Sequence, residues 1–192
     1  VAVDFVQVQI VGQVIGSRGQ RFLPYLCATF FFILFFNFAG VVPLLNIAGT
    51  SIVVIPLMLA VIAWVVFNTV GIRANGLGNY LKTNLFPPGV PKPLYVLLTP
   101  IEFLSTFVLR PITLTIRLMA NMMSGHFLLV LFYAGATYLL FHAAVWLKPF
   151  GVVSAGLGFV FVLFEMLVEF LQAYIFTLLV AVYIQLAMST EH

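Results

Sequence analysis

Arg117 is the residue around which a chemistry can be built. It stands in the run RPITLTIRLMANMMSGH, Arg110 to His126, inside an apolar stretch and 17 residues past Pro100. A helix rises about 1.5 Å per residue, so the guanidinium lies roughly 25 Å from that end, further than a side chain easily snorkels. An arginine stays protonated under almost any condition, and placing one in hydrocarbon costs at least about 2.5 to 3.5 kcal/mol on a lenient insertion scale. A charge kept there either pairs with a nearby carboxylate or faces an ion path or a partner.

The neighbours at helical spacing are polar. Glu102, Thr106, Arg110, Thr113, Arg117, Asn121 and Ser124 follow one another at intervals of three or four and predict one polar stripe. Glu165, Glu169 and Gln172 predict a second, on a later apolar segment. Such stripes are stable in lipid only against another polar surface or a hydrated route. Glu165 and Glu169 are candidates to neutralise Arg117 within the chain; a carboxylate on another protein is the alternative. Histidine is a common member of intramembrane proton paths, and with two carboxylates on the neighbouring segment His126 is a candidate proton carrier, with a merely satisfied polar residue as the equal alternative. Arg110, seven residues before Arg117, lies about 10 Å nearer the end of the segment and within snorkelling reach of headgroups or water.

Other chemistries fail on spacing. There is no His-Glu-x-x-His, no Glu-x-x-His and no phosphate-binding loop of the Walker type, so no metal, nucleotide or other cofactor is expected. The one cysteine, Cys27, excludes an internal disulfide framework and reads as a small apolar packing residue. A net charge of +3, scattered along the chain, gives no basis for nucleic-acid binding.

The elements that must position these residues are membrane helices. Of 192 residues 64% are hydrophobic and 7% charged, with a mean hydropathy of +1.21, far from the quarter of charged residues usual in soluble domains. The expected fold is an all-α polytopic membrane protein forming a single membrane domain. Residues 1–20 place Val3, Val6, Ile10 and Val14 on one face and read as an interfacial amphipathic helix, with a strand as the alternative. Residues 21–72 carry no charge between Arg21 and Arg73 and predict a transmembrane hairpin turning at Asn46–Ser51. Residues 73–93, with five prolines and glycines between Phe86 and Pro93, predict an ordered loop. Arg18, Arg21, Arg73, Lys82 and Lys92 all fall on one side, which the positive-inside rule makes cytoplasmic.

Residues 94–140 and 150–188 would form helices about 70 and nearly 60 Å long, roughly twice the 30 Å hydrocarbon thickness. They are expected as two long, strongly tilted helices in a hairpin, joined by a turn at His142–Pro149 in which His142 and Lys148 meet solvent. Gly151, Ala155, Gly156 and Gly158 offer a surface for close contact. In an antiparallel hairpin His126 and Glu165 reach similar depth, and direct or single-water contact between them is expected. The chain starts at Val1 without a methionine, and its first segment has no signal-peptide pattern, which leaves room for a further span upstream.

RPITLTIRLMANMMSGH, together with LQAYIFTLLVAVYI at Leu171–Ile184 and a short polar tail, resembles the a subunits of F-type ATP synthases. The likeness runs from the first hairpin to the C-terminus, and Arg-Leu-x-x-Asn-x-x-x-Gly is its most specific part. The resemblance implies a non-catalytic stator subunit whose two long helices curve against a rotating c-ring of carboxylate-bearing hairpins. Arg117 takes the position of the essential ring-facing arginine, Asn121 that of the motif asparagine and Gln172 that of the last-helix glutamine. His126 and Glu165 match an ionisable pair, and Glu102 resembles the acidic residue of the cytoplasmic half-channel. With Ser124 and Glu169 from the polar stripes, these residues make the implied proton path, and Arg110 is secondary. Implied partners are the c-ring, the peripheral-stalk subunit b, the other ATP synthase subunits and lipid. The implied location is a bacterial plasma membrane, with the mitochondrial inner membrane as the alternative. From the residues alone, a proton- or ion-coupled secondary transporter is the competing function; it predicts internal repeats or paired broken helices, which the sequence does not display.

Overall fold

The computed structural model describes residues 2–41, 53–85 and 95–188, and they are helical with no strand. The elements are α1 (Ala2–Val6), α2 (Leu23–Val41), α3 (Val54–Asn75), α4 (Leu77–Leu85), α5 (Tyr95–Phe103), α6 (Arg110–Phe141) and α7 (Lys148–Met188). Four helical stretches are long and apolar enough to cross a membrane: Gly19–Gly40, Val54–Asn75, Leu97–Phe141 and Val145–Met188. The chain is an all-α polytopic membrane protein, and lipid demands this: with no water to satisfy backbone amides, a spanning segment must bond to itself.

The N-terminal segment is helical, which overturns the strand alternative. It changes pitch twice, running from α1 through a wide π turn at Gln7–Ile15 into a tight 3-10 stretch at Gly16–Phe22. Val6 and Ile10 are buried as their spacing predicts, Val11 joins them, and Val3 is exposed. The expected turn Asn46–Ser51 lies outside the described residues. The segment expected as loop after Arg73 begins instead with helix α4, and Phe86–Leu94 lie outside the described residues. The reason is local. Gly76, at φ 75°, ends α3 and turns the chain; Tyr80 then lays its ring on Gly71, where any Cβ would run into it. The Tyr80 hydroxyl donates to Asn68 Oδ1 at 2.9 Å, and Asn68 Nδ2 donates to the Trp64 carbonyl at 2.8 Å.

The two long helices form the expected hairpin, closed by Ala143, Ala144 and a 3-10 turn at Val145–Leu147. His142 and Lys148 are exposed there, with the His142 ring stacked on Tyr138. α7 has 41 residues, about 60 Å, and its two halves differ. Its C-terminal half buries Phe176, Val180, Ala181 and Ile184 in a core shared with Ile10, Leu26, Ile33, Phe67, Leu114 and Leu118. Its N-terminal half packs on α6 and leaves Val152, Val153, Phe159, Val160 and Leu163 exposed. Gly151 and Gly158 make the close contact, to Leu140 and Phe132, and Ser154 Oγ donates to the Phe132 carbonyl at 3.0 Å. Gly156 points away from α6 into open space.

Between α5 and α6 the helix widens into a π turn at Leu104–Leu109, where the Arg110 amide reaches back to the Ser105 carbonyl. Pro111 lacks an amide and its ring presses on the carbonyl four residues earlier, and a wider turn accommodates that carbonyl. The changed pitch shifts the angular phase, so Glu102 and Thr106 do not continue the face of Arg117. Thr106 is buried and Arg117 exposed.

The Gly71–Tyr80 contact leaves no room for a side chain. Gly71→Val overpacks it at a cost of about 1 to 3 kcal/mol, whereas Tyr80→Phe removes only a hydrogen bond, about 1 kcal/mol. Thermal unfolding of the purified complex is expected to rank wild type above Tyr80→Phe and Tyr80→Phe above Gly71→Val. A Gly71→Val protein as stable as wild type contradicts the packing.

Candidate functional site

The site lies where the middle of α6 meets the middle of α7. Arg117 is exposed on an open face of α6 shared with Thr113, Ile116, Met123 and Ser124. The opposite stripe, Leu114, Leu118 and Met122, is buried against the protein, as a 3.6-residue repeat requires. Across the interface Glu165, Glu169 and Gln172 are all buried, with 5%, 2% and 6% of their surface exposed. Both Glu169 carboxylate oxygens, Glu165 Oε2 and Gln172 Nε2 have no hydrogen-bond partner among the described residues. Arg117 is exposed while both acids are buried, and no hydrogen bond joins it to Glu169 or to Glu165 Oε2.

Gly125 sets the distance between the two helices. A Cβ there would strike the Glu165 carboxylate, so only glycine lets the acid lie flat against α6. Glu165 and Glu169 line a cavity of about 110 Å³ with Asn121 and Ser124, walled by Phe161 and Phe164. At about 30 Å³ per water, that is room for several molecules, and the polar groups to hold them are present. Buried carboxylates without partners call for water, a proton or a cation, because leaving a charged oxygen unsolvated costs several kcal/mol. Ser124 donates to the Ala120 carbonyl at 2.7 Å, which leaves its lone pairs for the cavity.

The other sequence candidates fall elsewhere. His126 is half-buried, does not line the cavity, and makes no hydrogen bond to Glu165 among the described residues. It follows Gly125 by one residue, about 100° around the helix, and nine residues beyond Arg117 it lies on the opposite side of α6. The residue that meets Glu165 at this depth is Gly125. Glu102, half-buried, is on α5 below the π turn. Arg110 is half-buried: its guanidinium stacks 4.9 Å from the Tyr183 ring centroid and 5.8 Å from that of Phe67, tying α6 to α7 and α3. Such contacts stabilise by about 0.5 to 2 kcal/mol, more as water is excluded. Sequence reasoning missed Gly125 as the residue of closest approach. The signal was there, four residues after Asn121 in the same motif.

The chain matches known proteins along nearly its whole length. The family model for the ATP synthase A chain matches residues 1–185. The chain is 48% identical to the ATP synthase subunit a of Rhodococcus erythropolis over 99% of its own length and 70% of that protein's. It is 48% identical to that of a Parafrankia species over 98% of its length and 63% of the relative's, and 38% identical to that of Myxococcus xanthus over 98% and 59%. It thus spans roughly two thirds of the length of these relatives. With a family match over nearly its whole length and an exposed Arg117 set before buried acids, the chain belongs to the ATP synthase A chain family.

Proposed function

We propose that this chain is the proton-conducting stator subunit of a rotary F-type ATP synthase, working against a c-ring of carboxylate-bearing hairpins and held by a peripheral stalk that includes subunit b. One observation carries the reading: Arg117 stands exposed on α6 with no hydrogen-bonded carboxylate among the described residues, while two buried carboxylates line a polar cavity between α6 and α7. A lone outward guanidinium at mid-membrane needs an external anion. A ring carboxylate supplies one, and an opposite charge within about 4 to 6 Å favours its ionised form.

The mechanism follows from that preference. A proton enters from one side through a half-channel and neutralises a ring carboxylate, which then enters lipid uncharged. After nearly a full turn it meets the second half-channel and loses the proton, because beside Arg117 the ionised form is favoured. Arg117 prevents a protonated site from slipping directly between the channels, so rotation completes the path. The membrane potential supplies about 2.3 kcal/mol per charge per 100 mV. Glu165, Glu169, Asn121 and Ser124 line the hydrated part of the inlet, with Gln172 next along α7; Glu102 belongs to the cytoplasmic outlet. His126 is a flanking member of the inlet. Arg110 braces α6 against α3 and α7 rather than handling protons. The chain itself performs no bond chemistry. Relatives from bacteria support a bacterial plasma membrane as the location. Family membership favours this reading over a secondary transporter.

Two measurements test the reading. In vesicles carrying the assembled complex, Arg117→Ala is expected to reduce proton-driven ATP synthesis to background while the complex stays assembled. Arg117→Lys, a compact hydrated charge without the planar fork, is expected to retain less than about a tenth. Normal synthesis by the alanine variant defeats the mechanism.

Passive proton flux through the membrane sector, measured with the catalytic head removed, separates the cavity residues from His126. Glu169→Gln keeps the shape and removes the proton site, and is expected to slow flux at least about tenfold. His126→Ala, off the cavity, is expected to slow it only about twofold. The reverse ranking would place the path on the other side of α6.

A further inference from the structure

A second cavity, of about 220 Å³, opens at the end of the bundle where α3 and α7 terminate and α2 begins. Its lining is Arg21, Phe22, Val70, Arg73, Ala74 and Met188. Two arginines, 52 residues apart in sequence and on separate elements, converge on one hollow, and no carboxylate among the described residues lines it. Of the five acidic residues, Glu165 and Glu169 lie at the other cavity, Glu102 and Asp4 are on α5 and α1, and Glu191 falls outside the described residues. Helix electrostatics accounts for one arginine and not the other. Arg73 sits in the last turn of α3, whose carbonyl end favours a cation, whereas Arg21 precedes α2, whose amide end favours an anion.

We propose that Arg21 and Arg73 hold the phosphate of an anionic phospholipid headgroup, with the glycerol and upper acyl chain against Phe22, Val70 and Met188. The hollow is smaller than the roughly 300 to 1,000 Å³ of a small-molecule pocket, which suits a headgroup phosphate rather than a whole soluble ligand. Both arginines lie at ends of membrane-crossing helices, on the side where the chain's basic residues gather, which is where anionic headgroups are found. Both are exposed, so a lipid arriving from the bilayer reaches them without displacing packed core. Guanidinium forks match phosphate oxygens in pairs, and a bound phosphate removes the repulsion between the two cations.

The test uses the assembled complex in phosphatidylcholine vesicles doped with a photoactivatable phosphatidylglycerol, with cross-links mapped to peptides. Wild type is expected to be labelled at segments carrying Phe22 and Val70, with suppression by unlabelled phosphatidylglycerol and none by inorganic phosphate. Arg21→Gln with Arg73→Gln is expected to weaken labelling on the order of thirtyfold, and either change alone about fivefold. Lysine at both positions, which keeps the charge without the planar fork and keeps the test readable if the glutamine pair does not assemble, is expected to label between the wild type and the glutamine pair. Equal labelling in the wild type and glutamine variants overturns the site. Competition by inorganic phosphate would assign the hollow to a soluble anion instead of lipid. Labelling that appears only in Glu191→Gln would show that the chain's own tail occupies it, and either outcome defeats the lipid assignment.

Discussion

Hydrocarbon offers no hydrogen bonds, and the buried acids of α7 have to be understood under that constraint. Glu165, Glu169 and Gln172 sit between two apolar helices with six side-chain oxygen and nitrogen atoms, four of which have no partner among the described residues. Packing alone does not retain such groups; leucines of similar volume in their place would fill the same interface without a desolvation cost. What makes their burial tolerable is the cavity bounded by Asn121 and Ser124, and what permits the cavity is Gly125, which brings the helices together beside it. Arg117, on the facing helix, is exposed instead of buried with the acids. The separation of the cation from the anions is thus the central feature of the fold.

That separation depends on supports remote from it. The C-terminal half of α7 is clamped in a core built from α2, α3, α6 and the N-terminal segment, with the rings of Phe5, Phe30, Phe170 and Tyr174 meeting at about 6 Å. Arg110, stacked on Phe67 and Tyr183, fixes the lower end of α6 to that core. Asn75 donates to the Ala187 carbonyl at 3.0 Å and ties the end of α3 to the end of α7. Beyond the core the hairpin carries on with one apolar face uncovered. One end is rigidly held and the other is open, a form suited to a stator that presents a fixed charge to a moving partner.

Much of this was legible in the sequence because periodicity and charge are one-dimensional signals. The over-long apolar segments, the uncharged gap from Arg21 to Arg73 and the acid stripe on α7 all follow from counting residues. What failed depended on angle. The π turn at Leu104–Leu109 shifts the phase of the helix, so a stripe drawn from Glu102 to Ser124 at uniform spacing is broken in the structure. Gly125 as the residue that meets Glu165 across the hairpin is a close approach that depth alone does not reveal. Helix α4 was hidden by the prolines and glycines downstream of it, since its anchor is the contact of Tyr80 with Gly71 on another helix. The ring stacking of Arg110 was invisible to local spacing, because its aromatic pair is contributed by α3 and α7.

The most direct measurement is an experimental structure of the assembled membrane sector in a bilayer, read for the carboxylate nearest the Arg117 guanidinium. The account predicts that this carboxylate belongs to another subunit, with Glu165 and Glu169 remaining behind α6 beside Asn121 and Ser124. An Arg117 paired with Glu165 or Glu169 of its own chain would contradict it and reduce the arginine to a structural counter-ion.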